Sequence, residues 1–221
     1  MLIDTHIHSV FSGHAALKVQ EIVRFCKKNG IVPALTDHDT TAGWNSFAEK
    51  AKDAGIPFIL GEEIHVFDGR KCVGEVLGLF MQEPVKPGNF GEVIDALRDQ
   101  GALVSAAHPF DRFRKALFVR ALDKEQVVRK IDAIEVFNSR AYLGRFNREA
   151  EGFAKAHSIP FTAGSDAHFS IELGNAWLET DAGSLEAARK NILKKKCSFH
   201  GTLSPKRVHV YTQLAKLGFF K

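Results

Sequence analysis

The sequence predicts an α/β fold whose parallel sheet closes, or nearly closes, into a barrel. Short apolar runs of strand character alternate along the whole chain with segments of helical period. Most of these runs stop at a histidine or an acid, and in a parallel barrel such stops gather on one face. The 221 residues, 45% hydrophobic and 25% charged, are ample for one sizeable core. One domain is therefore expected over residues 1–221, with residues 200–221 as a helical tail that packs on it or dimerises.

Residues 2–8 form the first strand, opening on apolar Leu2 and Ile3. Leu17, Ile22, Val23 and Phe25 keep a helical period until Asn29-Gly30 stops it. Ile31-Val32-Pro33-Ala34-Leu35-Thr36 is the second strand and runs into Asp37-His38-Asp39. Thr40 or Thr41 is the expected cap of a helix carrying Trp44, Phe47 and Ala51 to Gly55. The third strand starts at Pro57-Phe58-Ile59-Leu60 and reaches Gly61-Glu62-Glu63. Residues 64–81 read as a hairpin turning at Asp68-Gly69. Pro84 and Pro87 precede a helix over 89–100, and the strand 102–107 ends at His108-Pro109. Residues 110–123 read as a loop with a short helix, and 133–137 as a strand before Asn138. A helix over 143–157 leads to Phe161-Thr162-Ala163-Gly164 and then Ser165-Asp166-Ala167-His168. A strand near 176–178 and helices near 184–196 and 205–218 complete the chain.

The net charge of +4 is spread out, with one dense run at Lys194-Lys195-Lys196, which suits an anionic substrate without demanding nucleic acid. Cys26, Cys72 and Cys197 are odd in number and lack Cys-x-x-Cys spacing, so a reducing cytoplasm is the expected compartment. No secretory leader is read at the N-terminus, and no apolar run approaches the ~18 residues of a membrane span.

Side chains two apart on a strand share one side, so His6 and His8 can close on a single metal ion. The same punctuation recurs at Asp37-His38, Glu63, His108, and Asp166 with His168, while His14 follows the first strand in its loop. Imidazoles with bridging carboxylates suit zinc, manganese or iron, and there are more donors here than one ion uses. Two or three ions are expected; held about 3.5–4 Å apart, such ions clamp both oxygens of a phosphoryl displacement.

The order and local sequences of these motifs resemble the polymerase and histidinol phosphatase (PHP) superfamily. The resemblance runs from Asp4-Thr5-His6-Ile7-His8-Ser9 through Thr36-Asp37-His38, Gly61-Glu62-Glu63-Ile64 and Ala107-His108-Pro109 to Gly164-Ser165-Asp166-Ala167-His168. It implies a distorted (β/α)7 barrel and a metal-dependent phosphoesterase. It also implies that His6, His8, Glu63 and Asp166 hold one metal, that Glu63 bridges to a second bound by His108, and that His14, His38 and His168 serve a third. Two departures stand out. Gly13 occupies a position where many relatives carry aspartate, and the second metal's further histidine is missing, leaving His65 or Glu75 to replace it. The pattern glycine, any residue, glutamate selects Glu63 over Glu62, which is expected to pair with a neighbour. Asp37 is read as a ligand, a helix cap or a support for a ligand, and Asp4 as the acceptor of an imidazole N–H. Glu135 and Asn138 are read as pocket wall, and His157, His200 and His209 as surface or capped histidines.

Arg112, Arg114, Arg140 and Arg145 lie in loops expected on the metal face, and arginine binds phosphate oxygens bidentately. Arg112 and Arg140 are the selected phosphate contacts. The expected reaction is hydrolysis of a small phosphate monoester or nucleotide by metal-activated water, with no side-chain nucleophile motif present. The general acid is left unassigned. An exonuclease or oligonucleotide phosphodiesterase is second, since no basic stripe with interleaved aromatics supports it. An amidohydrolase would carry a lysine at a strand end, and a non-catalytic metal-binding module would have lost ligands. The expected partner is a small phosphorylated substrate rather than nucleic acid or a membrane. Residues 208–220 are apolar enough to cover the barrel's bottom or to make a homo-oligomer.

Overall fold

The computed structural model describes residues 1–117 and 124–219. Its strands are β1 (Leu2–Ile7), β2 (Ile31–Leu35), β3 (Ile59–Asp68), β4 (Lys71–Leu79), β5 (Gly88–Asn89), β6 (Leu103–Ala106), β7 (Ala133–Asn138), β8 (Phe161–Gly164), β9 (Ala176–Glu179) and β10 (Ser198–Gly201). The helices are α1 (Val19–Asn29), α2 (Trp44–Ala54), α3 (Phe90–Asp99), α4 (Lys124–Lys130), α5 (Gly144–Ala156), α6 (Leu185–Leu193) and α7 (Arg207–Lys216). The strands form one sheet in the order β10-β9-β1-β2-β3-β4-β6-β7-β8, with β5 beside β3.

The sheet is mixed rather than wholly parallel. β1–β2, β2–β3, β6–β7 and β7–β8 pair in parallel. The turn at Asp68-Gly69, with Gly69 at φ 57°, folds the chain back, so β4 lies antiparallel between β3 and β6. The expected hairpin is therefore part of the barrel wall, which explains the distortion. β9 and β10 add an antiparallel edge on β1; β10, β5 and α4 have too few periodic residues to stand out in the sequence. Gly43, not Thr40 or Thr41, occupies the N-cap of α2. Of the 110–123 segment, residues 118–123 lie outside the described residues.

Closure joins β8 to β1. Asp166 N donates to His6 O at 2.7 Å, His8 N to Ala167 O at 2.9 Å, and Thr5 Oγ1 to Ala163 O at 2.9 Å. Gly164 makes this approach feasible, since a Cβ there would sit 2.4 Å from His6 Cβ and 2.8 Å from His6 N. A Gly164→Ala variant is expected to lose about 3 kcal/mol by overpacking, read as a lower denaturant midpoint with an unchanged m-value.

Two apolar clusters result. One lies between sheet and helices, around Ile22, Phe47, Ile94 and Ile134. The other gathers Ile3, Val32, Ile59, Leu103 and Ala133, all at or next to the first residue of a strand, with Ala188 and Ile192 of α6. The barrel's bottom is thus closed by α6. The tail does not cover it: α7 lies at the opposite end, where Arg140, just after β7, donates to Thr212 Oγ1 at 2.5 Å and Val208 O at 3.4 Å. Val210, Leu217 and Phe219 stay exposed, and Phe220 lies outside the described residues. Among the described residues no helix is long and apolar enough to cross a membrane.

Candidate metal centre

Strand ends β1, β2, β3, β6 and β8 bring their polar residues to one rim. Glu63, fully buried, is the hub: its Oε2 lies 3.2 Å from His6 Nε2, 3.2 Å from His8 Nε2 and 3.1 Å from His38 Nδ1. Its other oxygen, Oε1, is 2.9 Å from His108 Nε2. Asp166 Oδ1 approaches His8 Nε2 at 3.3 Å and His6 Nε2 at 3.7 Å. His168 and His14 meet through their Nε2 atoms at 3.2 Å. His108 and Asp166 hold positive φ, 25° and 54°, a strained backbone that persists only where the surroundings over-determine it.

Groups able to hold an ion are His6 with His8 and Glu63; Glu63 with Glu75 and His108; His8 with His38 and His168; and His38 with His65 and Glu75. The strand register settles how His65 and Glu75 relate. They face each other across β3 and β4, with His65 Nε2 2.9 Å from Glu75 Oε1, and Glu75 Oε2 reaches to 3.4 Å from His108 Nε2. Glu75 therefore joins the Glu63–His108 group, and His65, held by Asp39 at 2.5 Å, lies beside it in the group with His38 and Glu75.

Hydrogen bonds assign the tautomers. His6 Nδ1 is 2.9 Å from Glu135 Oε1, which only accepts, so that ring donates from Nδ1. Ser12 Oγ donates to Asp37 Oδ1 at 2.5 Å and so accepts from His8 Nδ1 at 3.1 Å. Both neutral rings then aim Nε2 lone pairs at each other, 3.0 Å apart, and at carboxylate oxygens. Glu63 Oε2 and Asp166 Oδ1 are buried without a hydrogen-bond donor. Lone pairs so crowded need a cation, and the donors fit one. Without it the cluster holds together by protons: burial resists charging His6, but Asp166, Glu63 and Glu135 overcome it and raise its pKa. Burial opposes ionising Glu63 as well, yet His38 and His6 hold its carboxyl well below the usual range. His14 is pushed down to about 4 by burial and the charge of His8, while burial keeps His38 and His168 well below their ordinary value. Those three rings thus offer lone pairs at neutral pH.

Other residues support these. Asp37 accepts from Ser9 N and Ser9 Oγ, both at 2.6 Å, besides Ser12, so it anchors the first loop instead of facing the ions. Asp4 accepts backbone N–H groups of His6 and Ser165 at 3.2 and 2.9 Å, not an imidazole; Glu135 takes the imidazole. Glu135 also accepts from His108 N at 2.7 Å and Asn138 Nδ2 at 3.0 Å. Its place at a strand end was the signal that it belonged to the site. Glu62 pairs with a neighbour, Val85 N, at 3.2 Å. His157 packs on Phe153 and His200 pairs with Glu179 at 2.8 Å.

A cavity of about 680 Å³ opens over the cluster. It is lined by Arg114 and Arg140, not by Arg112, which pairs with Glu149 at 3.2 Å and is half-exposed. The chain turns at 112–114, and Arg112 is held over Phe146 as well as by Glu149. Arg145 also stacks over Phe146. Arg114 bonds Asp166 Oδ2, which Asn138 Nδ2 also holds at 3.0 Å. His209, which the sequence left as a surface residue, lines the cavity too and stacks on Tyr142.

Comparison with known proteins agrees with this geometry. The PHP domain pattern matches residues 4–157, and a PHP-associated pattern matches 144–197. An uncharacterised protein of Methanocaldococcus jannaschii is 34% identical over 190 residues, 84% of this chain and 73% of that one. The 3′,5′-nucleoside bisphosphate phosphatase of Chromobacterium violaceum is 36% identical over 110 residues, 48% of this chain and 39% of the relative. A two-domain Bacteroides vulgatus protein described as containing a predicted PHP-like metal-dependent phosphoesterase shares the fold, with a TM-score of 0.74 at 17% identity over 97% of this chain and 69% of that one. With the pattern spanning β1 to α5 and His6, His8, His38, His65 and His108 of that stretch drawn to one rim, the chain belongs to the PHP domain family.

Proposed function

We propose that this chain hydrolyses a small phosphate monoester or a mononucleotide at a centre of two or three divalent ions. The observation that carries the reading is the pair of buried oxygens, Glu63 Oε2 and Asp166 Oδ1, that face imidazole lone pairs with no hydrogen-bond donor. His6, His8, Glu63 and Asp166 would hold one ion; Glu63, Glu75 and His108 a second; His14, His38 and His168 a third. Zinc, manganese and iron suit such mixed sets. When bound, divalent ions supply Lewis acidity that acidifies water and offsets charge on phosphoryl oxygens.

The chain's own groups do the rest. Glu135 and Ser12 fix the His6 and His8 rings with Nε2 facing inward. Arg114 and Arg140 bring positive charge to the cavity in which an ester would sit. The cavity's size suits a small molecule, and the alignment with the Chromobacterium phosphatase supports a monoester. Cys26, Cys72 and Cys197 are unbridged, which supports a reducing, cytoplasmic setting. The proposed partner is the phosphorylated substrate, with self-association through exposed Val210, Leu217 and Phe219 a separate proposal.

The test is hydrolysis of p-nitrophenyl phosphate, bis-p-nitrophenyl phosphate and an amide panel by the manganese-loaded chain. Turnover of the monoester, abolished by a chelator and restored by manganese, is expected; activity on amides alone would overturn the reading. Replacing the tautomer-fixing acid in Glu135→Ala is expected to weaken ion binding roughly 10–100-fold, measured as metal retained after equilibrium dialysis.

A further inference from the structure

Helix α7 lies beyond residues 4–157 and 144–197, the stretches that match family patterns. It nevertheless builds one wall of the cavity, through His209, Thr212, Gln213 and Lys216. Its seat is fixed from within. The buried Arg140 guanidinium bonds Thr212 Oγ1 and Val208 O on α7 and pairs through Nε with Glu172 Oε1 at 3.1 Å. The His209 ring lies flat on Tyr142, with centroids 3.9 Å apart and planes 13° from parallel, and Phe113 packs on Tyr142 at 5.3 Å. An aromatic stack, with Phe113 tilted against it, thus lines the same cavity as the histidine cluster, and Phe113 is 63% exposed. Lys216, exposed, lines the same cavity as His14, His38 and His168.

A cavity of about 680 Å³ holds far more than one phosphoryl group, so most of it faces the alcohol portion of an ester. Beside Thr212 and Gln213, the α7 side of the cavity offers the Tyr142 and His209 rings and the Lys216 ammonium. We propose that α7 selects the alcohol side of the substrate, admitting a flat aromatic ring against the open side of the Tyr142–His209 stack and pairing Lys216 with an anionic group on that ring. This rests on the phosphoester reading of the metal centre and adds a substrate class to it: aryl or heteroaryl phosphates that bear a second negative charge. Offset-stacked rings are attracted through dispersion and their quadrupoles, and the lysine adds a salt-screened charge contact.

Phosphonates, which cannot be hydrolysed, separate the wall from the chemistry. Binding of methylphosphonate, phenylphosphonate and 4-carboxyphenylphosphonate to the manganese-loaded chain is measured by titration calorimetry. Lys216→Ala is expected to weaken only the carboxylated ligand, about fivefold. Tyr142→Ala is expected to weaken both aryl ligands roughly tenfold and leave methylphosphonate unchanged, which also shows that the variant is folded and loaded. Equal losses for all three ligands, or none, would overturn the proposal. Turnover of the matching phosphate esters is followed in parallel. If the phosphonates show the expected pattern while no ester is cleaved, the wall stands and the hydrolytic reading falls.

Discussion

A Glu63→Gln variant is expected to lose roughly 10³-fold or more in turnover, since removing several kcal/mol of charge stabilisation by bound ions costs a factor of ten per 1.36 kcal/mol. The same variant should retain at least one equivalent of metal less than the wild type after dialysis. The reason is its central place: one carboxylate lies within 3.2 Å of His6, His8 and His38 through Oε2 and 2.9 Å from His108 through Oε1. Glutamine removes the negative charge shared by two donor groups and puts an N–H₂ among ring nitrogens already supplying lone pairs. The fold should survive, because the change removes a buried charge and leaves the shape. Adding manganese should therefore raise the melting temperature of the wild type strongly and that of the variant much less, as expected when an ion binds only the native state. Wild-type metal content and turnover in the variant would show that Glu63 is not the shared ligand.

Much of this was legible in the sequence because strand ends are. His6 and His8 are two apart on a strand that opens with Leu2 and Ile3, and each later motif stops an apolar run, so a barrel alone brings them together. The bridge from Glu63 to His108 follows from β3 and β6 flanking β4, with no detail needed beyond strand order. What could not be read depends on side-chain direction and on contacts between distant segments. Glu75 becomes part of the centre only through its register opposite His65. Glu135 accepts the His6 N–H because β7 lies next to β8, which closes onto β1, while Asp4 accepts backbone N–H groups of His6 and Ser165 instead. Arg114, not Arg112, reaches the cavity because its partner is Asp166 while Arg112 pairs with Glu149, and no periodicity encodes either partner. His209 and α7 enter the cavity because Arg140 reaches across 68 residues to Val208, and no local signal announces such a bond.

Arg140 does more than the phosphate contact that the sequence suggests for it. Were that its whole contribution, its loss would raise KM and leave stability intact. In the structure it also holds the fold together at the rim. It is 4% exposed, it neutralises Glu172, itself fully buried, and it ties α7 to the strand ends. Arg140→Met keeps most of the side-chain volume and leaves Glu172 buried without its partner, so a loss of about 3–5 kcal/mol in unfolding free energy is expected near pH 8. The pH dependence gives the sign. Burial raises the Glu172 carboxyl from its ordinary 4.5 to about 6 although Arg140 works against it. A carboxyl raised on folding binds its proton more readily in the native state, so its favourable contribution is complete below about 4.5 and is lost as pH rises through about 6. Without Arg140 the opposing influence is gone, the native pKa climbs further, and the loss extends to higher pH. The deficit of the variant should accordingly be largest at pH 8 and shrink toward pH 5, where Glu172 takes a proton and no longer needs a cation. Urea unfolding of both proteins across that range measures it. A deficit that stayed constant with pH would assign the loss to the Thr212 and Val208 bonds instead of the buried ion pair.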